Sequence, residues 1–160
     1  ASEPTGLVIK QARELGFKGG FVILDQAKMD EISRITGGYA MLEGAIGVLP
    51  LVENSGTHVK GFVERFRKAY AGRDPSTESS LNYTAVHATV QAMKLAGSVT
   101  DAVAIRAQLD RAVKSLPPAS NPNDLSGVDG KGGSLANPLV GVVEAGKIRE
   151  MKIRPAGVAK

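Results

Sequence analysis

The sequence predicts an α/β protein in which a parallel sheet is flanked by helices and the chain crosses between lobes. Three observations carry this reading. The run Phe21-Val22-Ile23-Leu24 is continuously apolar, the pattern of a strand covered on both faces as in parallel sheets. A second apolar run, Ala45 to Val52, contains Pro50, which cannot donate to a sheet ladder and so marks the strand's end and a crossing between lobes. Segments with helical spacing of apolar residues precede, separate and follow the two runs.

In chain order, Ser2-Glu3-Pro4-Thr5 supplies a capping residue and a first-turn proline, and Leu7, Val8, Ala12 and Leu15 follow near helical spacing. A helix over about 4–15 is expected, closed by Gly16. After the Phe21–Leu24 strand, Met29, Ile32 and Ile35 predict a short helix ended by Gly37-Gly38. Residues 53–57 form a turn, and Val59, Phe62, Val63, Phe66, Ala69 and Tyr70 then lie on one face of an amphipathic helix. The polar segment 72–80 reads as a loop opening onto a helix over about 81–95, with Leu81, Ala85, Ala88, Thr89, Ala92, Leu95 and Ala96 on a small-residue face. Thr100-Asp101 caps a third helix whose stripe is Ile105, Leu109, Ala112, Val113 and Leu116, stopped by Pro117-Pro118. Residues 119–138 read as a long surface loop, the least ordered stretch. A hairpin over 139–153, turning at Glu144-Ala145-Gly146-Lys147, is expected to return to the sheet and lie near Phe21–Leu24. A loosely held tail follows over 154–160.

Composition narrows the function classes. The chain of 160 residues is 42% apolar but only 4% aromatic, without Trp. It has no Cys, which removes disulfides, thiolate metal sites and a cysteine nucleophile together. The formal charge is +4, with 20 basic residues spread among 16 acidic ones. The densest basic cluster, Lys60, Arg65, Arg67 and Lys68, reads as the solvated face of a helix, so no nucleic-acid partner is expected. No apolar stretch reaches the roughly 20 residues that span a bilayer. The N-terminus shows no signal-peptide pattern, and Ala1 fits the start of a processed or truncated chain.

Asp25, at the carboxyl end of the first apolar run, is the leading candidate site residue. In open parallel sheets ligands bind beyond the carboxyl ends of the strands, although Asp before a helix is equally suited to capping it. Thr77 and Glu78 sit in the loop before the 81–95 helix, and Tyr83 near that helix's start reads as a packing residue. His58 and His87 have no carboxylate or cysteine partner at ligand spacing, so no metal site is expected. The acids of the segment Asp124 to Ser134 miss calcium-loop spacing, and Gly132 after Lys131 breaks the phosphate-loop pattern, which leaves turn chemistry. Ser79 and Ser80 lie in no nucleophile-elbow pattern. No catalytic residue and no cofactor is expected.

The order of several motifs resembles a known family. Leu7-Val8-Ile9-Lys10-Gln11-Ala12-Arg13-Glu14-Leu15-Gly16 before a short strand, Glu43-Gly44-Ala45, Phe66-Arg67-Lys68-Ala69-Tyr70, Tyr83-Thr84-Ala85-Val86 and Val142-Val143-Glu144-Ala145-Gly146-Lys147 look like the C-terminal half of type I periplasmic solute-binding proteins of the branched-chain amino acid type. The resemblance spans nearly the whole chain. It implies a partial type I fold serving an ABC importer, a periplasmic or membrane-anchored extracytoplasmic location, and closure over an amino acid or similar solute without chemistry. It further implies that the carboxylate of Asp25 holds a ligand ammonium group, with Leu24 and Gln26 beside it; Thr77 and Glu78 are placed for a cleft by their loop position alone and carry no distinctive chemistry. Gln26 stands where many members carry Gly, and Leu24 where some carry Pro, so amides, urea or aromatic acids are alternative ligands. On this reading residues 1–50 and 135–155 belong to the second, ligand-binding lobe, 51–120 to the helical part of the first lobe, 121–134 to a loop and 156–160 to the tail. The partners implied are the solute and the membrane permease. The rival classes are a ligand-sensing regulatory domain and an enzyme. The helical faces carrying Phe62, Phe66, Leu109 and Val113 are expected to lack a partner, so the fragment is expected to self-associate, rearrange or form part of a larger molecule.

Overall fold

The computed structural model describes residues 1–24 and 27–151, so the expected tail lies outside the described residues. The chain divides into two compact units, Ala1–Asn54 with Pro138–Lys160, and Ser55–Asn137.

The first unit holds α1 (Ser2–Glu14), α2 (Met29–Thr36), β1 (Ile46–Val48), β4 (Val140–Glu144) and β5 (Lys147–Glu150). Ser2 is not a cap but the first residue of α1. The helix stops as the sequence predicts. Gly16 takes φ +89°, its N–H donates to Arg13 O, and Phe17 N–H donates to Ala12 O. This paired closure satisfies two of the helix's last carbonyls and suits glycine.

The three labelled strands form a sheet in the order β1-β4-β5, antiparallel throughout. Ile46, Gly47 and Val48 face Val142, Gly141 and Val140. The expected hairpin is present. Its turn at Ala145-Gly146 has φ +51° and +68°, the two positive values of the hairpin turn whose twist matches that of its strands. On the far edge of β1, Val22 makes a single parallel bridge to Ile46, so the hairpin lies one strand away from Phe21–Leu24. Among the described residues the parallel part of the sheet is that bridge alone.

The expected burial of Phe21–Leu24 on both faces is corrected by the structure. Ile23 is buried, whereas Val22 and Leu24 are 77% and 76% exposed. Among the described residues the run has a sheet neighbour on one edge only. Ile9, Ile23, Met29, Ile32, Leu42, Ala45 and Val143 form the core of this unit, with Phe21, Tyr39 and Ile148 packed against it.

The second unit holds α3 (Thr57–Ala69), α4 (Thr77–Ala96), α5 (Ala102–Ala107), α6 (Leu109–Lys114) and a two-stranded ladder of β2 (Gly127–Val128) and β3 (Ser134–Leu135). On α3 the predicted face is buried at Val59, Phe62 and Val63, but Ala69 and Tyr70 are exposed. The helix α4 starts four residues before the expected position. The cause is a reciprocal cap in which Ser76 Oγ accepts from Ser79 N–H and Ser79 Oγ accepts from Ser76 N–H.

Its buried stripe is Ser80, Thr84, Ala88 and Ala92, while the predicted Leu81, Ala85 and Thr89 are exposed. The two buried hydroxyls satisfy themselves locally, Ser80 donating to Thr77 O and Thr84 to Ser80 O.

Asp101 caps α5 through Val103 and Ala104 N–H as predicted, but the third helix breaks at Gln108 into α5 and α6. Val113 does not lack a partner, since it packs with Ala88 and Leu125, and Leu116 lies against them. The segment 119–138 is more structured than predicted. Buried Asn121 both accepts from Leu125 N–H and donates to Leu125 O, and Asp129 accepts from Lys131 and Gly133 N–H to turn β2 into β3. That second feature is the turn chemistry read from the sequence.

Candidate ligand-binding site

In the first unit the candidate site from the sequence is the rim where Phe21–Leu24 ends. Phe21 O accepts from Ile46 N–H and Ile23 N–H donates to Ile46 O, each at 2.8 Å, so the segment runs parallel to β1 and delivers Leu24 to the carboxyl rim. Leu24 O accepts from Ala27 N–H at 3.0 Å. Lys28 N–H donates to Ser2 Oγ at 2.9 Å, which ties the start of α2 to the start of α1. Asp25 and Gln26 lie outside the described residues. The helix that follows them begins at Met29 with Lys28 in the cap position, three residues beyond Asp25.

At the opposite, amino end of the strand, an arginine that the sequence reading did not single out holds the chain in place. Arg13 Nε donates to Met41 O at 2.9 Å, Nη1 to Phe17 O and Gly19 O, and Nη2 to Glu43 O, the last three at 2.8 Å. Its guanidinium also lies 4.7 Å from the centroid of the Phe21 ring. One planar fork thus fixes the loop before the strand and the approach to β1 together. The spacing of Arg13, Phe17 and Phe21 is the only sequence signal for it.

Glu43 completes the frame. Its carboxylate accepts from Ala145 N–H at 3.0 Å and Gly146 N–H at 2.9 Å, pinning the hairpin turn. These amides, with the Arg13 charge nearby, hold its carboxyl below the ordinary glutamate range.

In the second unit, Thr77 and Glu78 are the first two residues of α4 rather than part of a loop, with Thr77 half-buried and Glu78 exposed. The same unit contains a ring stair. Centroids of Tyr70 and Phe66 are 4.4 Å apart, Phe66 and Phe62 5.9 Å, Phe62 and Tyr83 5.2 Å, and Tyr83 and His87 4.5 Å. These rings and Val86 line an open groove of about 710 Å³. Tyr83 is thus a packing residue, and His87 packs on it.

His58 meets a carboxylate after all, with Nδ1 3.4 Å from Asp124 Oδ1, both exposed. Among the described residues no group of three His, Asp or Glu side chains is placed to hold a metal. No helix of the described residues is long and apolar enough to cross a membrane.

Comparison with known proteins bears on this arrangement. A family model described as periplasmic binding protein matches residues 1–140. A search of curated proteins finds no match. Among solved structures, the leucine-binding protein LivK of Thermotoga maritima is 25% identical with a TM-score of 0.62, over 97% of this chain and 43% of its own. The branched-chain amino acid transporter substrate-binding protein LivJ of Streptococcus pneumoniae, solved with isoleucine, is 19% identical with a TM-score of 0.68, over 95% and 42%. An extracellular ligand-binding receptor of Rhodopseudomonas palustris is 21% identical with a TM-score of 0.63, over 94% and 45%. The chain spans less than half the length of each, and its fold is correspondingly part of theirs. The match over residues 1–140, together with this likeness of fold, establishes that the chain belongs to the periplasmic binding protein family.

Proposed function

We propose that this chain is part of the extracytoplasmic solute-binding component of an ABC importer, and that it binds an amino acid or a related small polar solute. The observation that carries the reading is the family match over residues 1–140 coupled with a strand that ends at a sheet rim immediately before Asp25. The isoleucine complex of the pneumococcal neighbour supports the ligand class. Asp25 supplies the carboxylate for a ligand ammonium group, a charge-assisted contact in a partly desolvated cleft. Leu24 and Gln26 contribute the wall beside it. Residues 1–50 and 135–155 form part of the ligand-binding lobe, and 51–120 the helical part of the other. Hinge closure brings the lobes onto the solute, and a membrane permease receives it.

Calorimetry on the longer protein with leucine, isoleucine and valine tests this. Asp25→Ala is expected to weaken binding by roughly 2–5 kcal/mol, because the ligand's ammonium group is then left buried and unpaired. An unchanged dissociation constant would remove Asp25 from the site, and no heat with any amino acid would remove the ligand class.

A further inference from the structure

The turn between β2 and β3 in the second unit reads Asp129-Gly130-Lys131-Gly132-Gly133. Of the seven aspartates in the sequence, Asp129 alone is followed by glycine. The nitrogen of a following residue lies close to an aspartate's Cγ, and a side chain on that residue obstructs its approach. Gly130 carries none, is exposed, and has open space where a Cβ would stand. Among the described residues its N–H has no hydrogen-bond partner.

The carboxyl is held as the nitrogen is not. Asp129 Oδ1 accepts from Lys131 N–H at 2.8 Å and from Gly133 N–H at 2.7 Å. The turn that aims these amides is closed by Asp129 N–H donating to Gly133 O at 2.8 Å and Gly132 N–H to Asp129 O at 3.0 Å. Gly132 supplies φ +94°, which suits glycine. A Cβ on Gly133 would stand 3.0 Å from Asp129 Oδ2, so glycine there leaves the carboxyl its place.

Two fixed N–H groups on one carboxyl oxygen stabilise the negative charge that appears there when a nucleophile adds to the carbon. Asp101 Oδ1 and Asp110 Oδ1 also accept from backbone N–H groups, but Ala102 and Arg111, which follow them, carry a Cβ. At Asp129 the unobstructed nitrogen and the paired donors coincide. A recess of about 470 Å³, bordered by Arg106, Asp110, Asp129 and Gly130, gives water access to the same place.

We propose that Asp129 is a site of spontaneous covalent modification, where the folded turn promotes rearrangement of the Asp129–Gly130 linkage to isoaspartate. In the acid form of Asp129, Gly130 N bonds to Cγ and the Cγ–Oδ2 bond breaks. Oδ2 leaves as water, taking the carboxyl proton and the amide proton. The cyclic imide then takes up one water. Reopening at Cγ restores aspartate, and reopening at the main-chain carbon gives isoaspartate, in which Cγ has entered the backbone and the former main-chain carbonyl is a free carboxylate. Water is the only co-reactant, and no oxidation state changes. The product lengthens the main chain by one carbon and converts Asp129 O, the acceptor of the Gly132 N–H bond, into part of that carboxylate. The two-residue ladder of β2 and β3 loses the turn that sets its register.

The test is incubation of the folded protein at neutral pH, followed by digestion and electron-transfer mass spectrometry to map isoaspartate. Isoaspartate is expected at residue 129 at least about tenfold faster than at any other aspartate, since only there is the following residue glycine. Unfolding in guanidinium chloride is expected to slow the reaction about tenfold, less than the roughly 100-fold of one donor in a closed site because this turn is open to water. Gly130→Ala is expected to slow it by about the same factor with far-UV circular dichroism unchanged. Isoaspartate at residue 129 no faster than at the other aspartates overturns the proposal. An equal or higher rate in the unfolded chain overturns it too, because the folded amides then give no assistance, as does a rate untouched by Gly130→Ala.

Discussion

Removing the guanidinium of Arg13 is the sharpest test of how the amino ends of the Phe21–Leu24 strand and β1 are held. Arg13→Met keeps the aliphatic stem against its neighbours and deletes four donated hydrogen bonds and the contact with Phe21. The bond to Met41 O is partly buried and charge-assisted, worth about 1.5 kcal/mol, and the three exposed ones contribute a few tenths each. The ring contact at 4.7 Å adds about 0.5 kcal/mol. Because these contacts share one group and do not add independently, the expected loss is about 2 kcal/mol.

That corresponds to roughly 4–8 °C in Tm for a chain of this size. Urea unfolding followed by far-UV circular dichroism measures it. Arg13→Lys is expected to recover less than half of the loss, since a single ammonium cannot reach carbonyls spread across a planar fork. A loss under about 0.5 kcal/mol for Arg13→Met, the scatter of ordinary surface changes, would refute the reasoning. Full recovery by Arg13→Lys would refute the part played by fork geometry.

Two further outcomes follow from the same frame. A Cβ on Gly20 would stand 2.5 Å from Gly44 O, a backbone atom that cannot step aside, so Gly20→Ala is expected to cost about 1–3 kcal/mol. Gly130→Ala, which meets open space, is the control, and equal urea midpoints for the two variants would show that the close approach is absent. The pH dependence turns on Glu43, whose carboxyl is held below the ordinary value of 4.5 by the turn amides. A depressed carboxyl stabilises the fold above the unfolded value, and that contribution is lost as pH falls through the folded one. Glu43→Gln is therefore expected to flatten the stability profile between about pH 2 and 5, and profiles that stay parallel there would rule the tie out.

Much of this architecture was legible in the sequence where a single residue's backbone preference decides the matter. Gly16 ends α1 and Asp101 starts α5 because no neighbour competes for those roles. The hairpin likewise follows from alternation and a glycine turn. Misreadings arose where polar side chains found partners that composition does not reveal. Ser76 and Ser79 look like loop residues until they cap each other, and Ser80 and Thr84 look solvent-facing until each is seen bonding a carbonyl of its own helix. The face of α4 was misassigned for that reason. Val22 and Leu24 carry the side chains of a buried strand, yet both are exposed. Of the candidate site, the rim at Leu24 was readable from the apolar run. The Arg13 and Glu43 ties were not, because they join segments that lie from four to 103 residues apart.

The distribution of aromatic rings makes the molecule its own spectroscopic instrument. With no Trp and three Tyr, intrinsic ultraviolet signals arise from tyrosine alone above the weak phenylalanine bands. Tyr70 and Tyr83 both belong to the ring stair of the second unit, while Tyr39 packs against the core of the first. Near-ultraviolet dichroism is therefore weighted toward the second unit, where stacked rings couple their transitions. Burial raises the Tyr39 phenol above its usual value of 10.0, so its ionisation at 295 nm reports separately on the first. Two halves of one chain can thus be followed independently through unfolding or ligand addition, with no label attached to either.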